Sequence, residues 1–128
     1  MSDRNTALRG LGVGDIFHGR SPNGASLICL VTAITETAIY ARRITTQEDI
    51  QFDRNSGIEL GDVPSKIDCV VPFPPDIYDV FVEMDRKGRV LAEMFRSGIE
   101  PGLDKYKLTP AEHRALLFVD DHVQANQI

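Results

Sequence analysis

A chain of 128 residues with 42% hydrophobic and 26% charged side chains has ordinary globular composition. It is long enough to bury a core without disulfides or metals. The longest strongly apolar run, Leu27 to Ile34, is eight residues and contains Thr32, which excludes a membrane span of about 20 residues. Net charge is −5, with six basic and seven acidic side chains in residues 1–60 and eight and twelve in residues 61–128. Generic attraction to phosphate backbones is therefore not favoured, although a local basic site stays open.

Residues 1–9 read as a flexible tail, because Met-Ser-Asp-Arg-Asn-Thr is polar and lacks the apolar stretch of a signal peptide. Residues 10–72 read as β-rich. A first strand through Ile16, Phe17 and His18 meets a turn at Ser21-Pro22-Asn23-Gly24, where Pro fixes φ and Asn-Gly accepts positive φ. Ser26 to Ile34 is a strand apolar on both faces, with Leu27, Cys29, Val31 and Ala33 on one and Ile28, Leu30 and Ile34 on the other. Such a strand belongs in a sheet covered on both sides or curled on itself. Thr37 to Arg43 and Ile50 to Asp53 alternate as half-exposed strands, and Ile58 to Leu60 and Ile67 to Val71 supply the remainder. A small antiparallel barrel or curled sheet follows, with an SH3-like barrel the first expectation and an open meander under helices the alternative.

Residues 73–128 read as helical. Pro72-Phe73-Pro74-Pro75 ends the strands, and Asp76 suits a helix N-terminus. Ile77, Val80, Phe81, Met84, Leu91 and Phe95 form one apolar stripe, interrupted at Gly88 into one helix with a weak point or two short ones. Thr109-Pro110-Ala111-Glu112 is a capping box, opening a last helix whose apolar side takes in Leu116, Leu117 and Val119 or Val123. The fold class is thus α+β in a single domain, a curled sheet followed by two or three helices.

Several chemistries fail on mechanical grounds. Gly10, Gly12 and Gly14 precede a strand rather than a helix, so they give a pyrophosphate no seat. Asp53 to Gly57 lacks the ligand pattern of a calcium loop. Gly24-Ala25-Ser26 lacks the second glycine of a nucleophile elbow, and Ser26 begins a strand instead of ending one. Cys29 and Cys69 sit in apolar segments without metal spacing, which suits buried, reduced thiols in a cytoplasmic protein. No metal, cofactor or catalytic set is expected.

Three readings of function survive. The first is an interaction or adaptor module for an unknown protein partner or for itself, self-associating as a homodimer through the amphipathic helices. The second is a nucleic-acid binder using a local strand face of Arg20, Tyr40, Arg42, Arg43 and Arg54, where an aromatic stacks on bases and arginines pair with phosphates. The third is an enzyme using His18 with a carboxylate such as Asp15 or Asp53, against the plainer reading of His18 as an exposed strand-end histidine. Whether the helices cover their own sheet or another chain's is open at this level.

Overall fold

The computed structural model describes residues 3–62 and 64–128. Val63, in the connection expected before the last strand, and Met1 and Ser2, in the expected tail, lie outside them. Element order is α1 (Asp3–Arg9), β1 (Ile16–Arg20), β2 (Ser26–Ile34), β3 (Ala38–Arg43), β4 (Asp49–Asp53), β5 (Lys66–Cys69), α2 (Pro75–Arg96), a 3-10 turn (Leu103–Tyr106) and α3 (Pro110–Asn126). The α+β layout and the curled sheet are as the sequence implies. The antiparallel sheet runs β4-β3-β2-β1-β5 and bends into a half-barrel. Isolated bridges Phe52–Glu59 and Ile58–Lys66 span the gap between the edge strands β4 and β5. Residues Ile58 to Leu60, expected as a strand, therefore supply bridges only.

Residues 3–9 are a helix rather than a flexible tail. Their polarity hides the anchors: Leu8 is fully buried in the inner core, and Arg4 donates to the carbonyls of Ser56 and Ile67.

The two apolar faces of β2 each have a core. Leu27, Cys29 and Val31 join Phe17, Ile39, Phe52 and Ile67 inside the half-barrel. Ile28 joins Ile16, Ile44 and Cys69 on the outer face, under Phe73, Phe81 and Met84 and under Ala115, Val119 and Val123 of α3, with Leu30 packed against this second cluster. The helices thus cover the sheet of their own chain. Ile34 belongs with the inner core instead of with Ile28 and Leu30. The register passes from Val31–Ala41 to Ala33–Tyr40, so Thr32 is an extra residue and the alternation flips after it.

A second bulge lies between β1 and β5. His18 pairs with Cys69 and Gly19 with Ile67, which leaves Asp68 as the extra residue. Gly19 is required there, since a Cβ would fall 2.9 Å from the Lys66 carbonyl oxygen. The Asp68 carbonyl, displaced from the ladder, accepts from the Ile128 backbone N–H at 2.8 Å.

Helix α2 is one unbroken element of 22 residues. Gly88 marks no break; a Cβ there would meet the Gln47 side chain, 2.8 Å from its Nε2. At 1.5 Å per residue such a helix is about 33 Å long, against about 17–20 Å for an ordinary strand. The buried residues of α2 end at Asp85, and its second half overhangs the core. Phe81 is fully buried, whereas Phe95, on the same expected stripe, is 72% exposed.

The capping box of α3 forms as expected: the Glu112 N–H donates to Thr109 Oγ1 at 3.1 Å and the Thr109 N–H to Glu112 Oε1 at 2.9 Å. The buried side of α3 is Ala115, Val119, His122 and Val123, while Leu117 is exposed. Ala115 is small enough to be passed over in the sequence, yet it is fully buried in the outer core.

Candidate functional site

The five residues expected to form a cationic strand face are each placed by different contacts. Arg42 is held bidentately by the buried Asp85 of α2, at 2.9 and 2.8 Å. Burial would raise the Asp85 carboxyl, but hydrogen bonds from Arg42 and Gln47 and the charges of Arg42 and Arg89 outweigh it and hold the group below the ordinary carboxylate range. Arg54 is buried and donates to the carbonyls of Thr35 and Arg9. Arg43 donates to the Ser26 carbonyl at 3.3 Å and lies 3.8 Å from Glu48. Arg20 lies 3.3 Å from Asp68 and 4.0 Å from Asp120. Tyr40 borders a shallow cavity of about 340 Å³ with Thr32 and Gln51. Each guanidinium is thus engaged within the chain, and Arg42 turns from Tyr40 toward α2.

His18 is fully buried rather than exposed at a strand end. Neither carboxylate expected beside it is there. Asp15 accepts from the Gly12 N–H, and Asp53 caps its own turn, its pKa lowered by the N–H groups of Ser56 and Asn55. The partner is Asp68, whose Oδ1 lies 2.6 Å from His18 Nδ1. The other ring nitrogen, Nε2, lies 3.1 Å from Ser26 Oγ. Strand geometry explains both contacts. Ser26 stands opposite Arg20 on β2, two residues from the partner of His18, so all three side chains share one face. The β5 bulge turns Asp68 toward the same face. Among the described residues the second oxygen of Asp68 makes no hydrogen bond and lies 3.3 Å from the Arg20 guanidinium.

Sequence reasoning missed Asp68 because it lies 50 residues from His18. The one local signal is Gly19, a glycine inside a strand, which marks a bulge or a close approach.

The remaining polar residues are structural. His122 Nε2–H donates to the Val71 carbonyl at 2.9 Å, and the ring stacks on Phe73. Among the described residues, no group of three or more His, Cys, Asp or Glu side chains is placed to hold a metal ion. No helix is long and apolar enough to cross a membrane, again among the described residues. Burial pushes the Cys29 thiol up to about 12 and raises that of Cys69. The two face different cores.

A separate concavity lies on the helices. A groove of about 670 Å³ runs along α2 toward the start of α3, with Val80, Val90, Leu91, Met94 and Ala111 in its wall. Lys87 and Glu112 cross its floor as an ion pair at 2.7 Å. Burial would raise Glu112, but the bonds from Lys87 and Thr109 win and hold it low. Beyond the groove Phe95, Ile99, Leu103, Tyr106 and Leu108 are exposed, Leu103 to 86%.

No family model matches the chain, and no curated protein or solved structure matches it either.

Proposed function

We propose that this chain is an interaction module that self-associates through the overhanging half of α2. The observation that carries the reading is the contrast along one helix stripe, in which Phe81 is sealed in the core and Phe95 stands in solvent beside an apolar groove. Exposed apolar surface that continues into a groove marks a surface made to be covered.

A second copy is the occupant that fits the charge pattern. The first part of α2 carries Asp76, Asp79, Glu83 and Asp85, and the second carries Arg86, Lys87, Arg89 and Arg96 with Glu93, so the helix is acidic toward its start and basic toward its end. Within the chain Arg86 pairs with Glu83, Arg89 with Asp85, Lys87 with Glu112 and Arg96 with Glu93. Two such helices laid antiparallel about a two-fold axis set each acidic end against the other's basic end. The same arrangement brings Val90 and Phe95 of each copy toward the other's groove. Two buried thiols facing different cores suit a reducing, cytoplasmic setting, where no disulfide is needed.

Light scattering after size exclusion, over a concentration series, tests the reading. The wild-type chain runs as a dimer that dissociates on dilution, and Val90→Asp runs as a folded monomer at every concentration. A wild-type chain that stays monomeric up to about millimolar concentration, where contacts worth only ~4 kcal/mol would register, removes the proposal.

A further inference from the structure

At the other end of α3 from the groove, Arg20, His18, Ser26 and Asp68 form a second cluster, close to Asp120. We propose that Ser26 is a nucleophilic serine that accepts an acyl group from activated esters, namely thioesters or aryl esters.

The reaction needs one arrangement of protons along this chain: His18 Nδ1–H donating to Asp68, Nε2 left as the acceptor, and Ser26 Oγ–H pointing to it. Asp68 holds His18 through one oxygen and faces the Arg20 guanidinium at 3.3 Å through the other. His18 is fully buried, whereas Ser26 is exposed at the start of its strand. A dry base is thereby coupled to a nucleophile that solvent reaches. Arg20, directly across the β1–β2 ladder from Ser26, lies on the same face but is engaged by Asp68 and the Gly24 carbonyl, so it borders the site and leaves the oxyanion to solvent.

The step balances without a cofactor. Ser26 Oγ bonds to the acyl carbon while its proton passes to His18 Nε2. The carbon–sulfur or carbon–oxygen bond breaks, and its electron pair leaves with the thiolate or phenolate. The burial of His18 sets the substrate class. An amine leaving group must receive a proton from the imidazole, which a sealed ring cannot deliver outward, so peptides are not cleaved. Leaving groups stable as anions need no such delivery. Deacylation needs His18 Nε2 to take a proton from an attacking water, and a sealed imidazolium that keeps the serine's proton cannot do so, so the acyl-serine accumulates after one turnover.

The test treats the full chain with para-nitrophenyl acetate and follows nitrophenolate release, intact mass and peptide mapping. The expected result is a burst of one equivalent with the acetyl group on Ser26, formed at least about 100-fold faster than on Ser97, an exposed serine without a base. Ser26→Ala removes the burst, and Asp68→Asn slows it by a similar factor while circular dichroism stays unchanged. Labelling of Ser26 no faster than Ser97 in the wild-type chain overturns the proposal, whether or not the variants fold. A burst unaffected by Asp68→Asn in a folded variant overturns the relay.

Discussion

The half-barrel and the end of the helical arm solve opposite problems with similar residues. Inside the sheet Phe17 and Phe52 meet edge to face at 5.4 Å, and Arg54 and Arg42 are committed to carbonyls and to Asp85. At the end of α2, Phe95 and Leu103 are exposed, and Arg96 pairs only with its helix neighbour Glu93. The difference is one of length. A helix longer than the sheet it covers has a stripe that outlasts its core, and what the stripe then faces is set by the assembly.

Phe81→Ala tests the buried side of this contrast and has the largest expected effect. Phe81 is fully buried and packs edge-on against Phe73. Its removal should destabilise the chain by about 3–5 kcal/mol, through lost transfer energy and the cavity left behind. Denaturant unfolding monitored by fluorescence or circular dichroism reads this directly. A loss under about 1 kcal/mol would mean that α2 is not fixed on the sheet.

The electrostatic clamp between the two regions comes next. Arg42→Ala leaves Asp85 buried with Gln47 and Arg89 alone, and should cost about 3 kcal/mol. The same group gives an acid dependence. The folded-state pKa of Asp85 is depressed, so its contribution is present above the ordinary carboxylate range, near pH 4, and is lost as pH falls through the lower folded value. Glu112 adds to it in the same direction. Stability of the wild type should hold from pH 7 to about 5 and decline below 4. Asp85→Asn should start lower and decline less steeply, and parallel curves for the two proteins would show that Asp85 carries no such linkage.

The parts legible in the sequence were those encoded over a few residues. The two-sided Ser26–Ile34 strand placed a sheet between two cores, and Thr109 to Glu112 placed a helix start. The parts that escaped are fixed by distant contacts. Helix α1 has polar residues whose order comes from Arg4 reaching Ser56 and Ile67. The helix α2 runs unbroken through Gly88, where the distant Gln47 side chain occupies the space that a Cβ would take. The Asp68 partner of His18 is set by a bulge, and a bulge shifts one residue without changing the apolar pattern around it. For the same reason the alternation read for Ile34 was inverted by Thr32. Arg42 and Tyr40 do share a face, as alternation requires, but only the packed helix shows that Asp85 takes the guanidinium.

Phe95→Ser tests the exposed side and has the smallest expected effect on the isolated chain. A side chain 72% exposed has little burial to lose, so the unfolding free energy at low concentration should change by no more than about 0.5 kcal/mol. The informative variable is concentration. If copies associate through this surface, wild-type Tm rises with protein concentration, because association stabilises the folded state by mass action. Phe95→Ser should flatten that dependence while leaving the dilute Tm unchanged. A Phe95→Ser chain that loses several kcal/mol even when dilute would place Phe95 in the fold of its own chain, and the contrast with Phe81 would collapse. A wild-type Tm independent of concentration would leave the contrast in place but require an occupant other than a second copy.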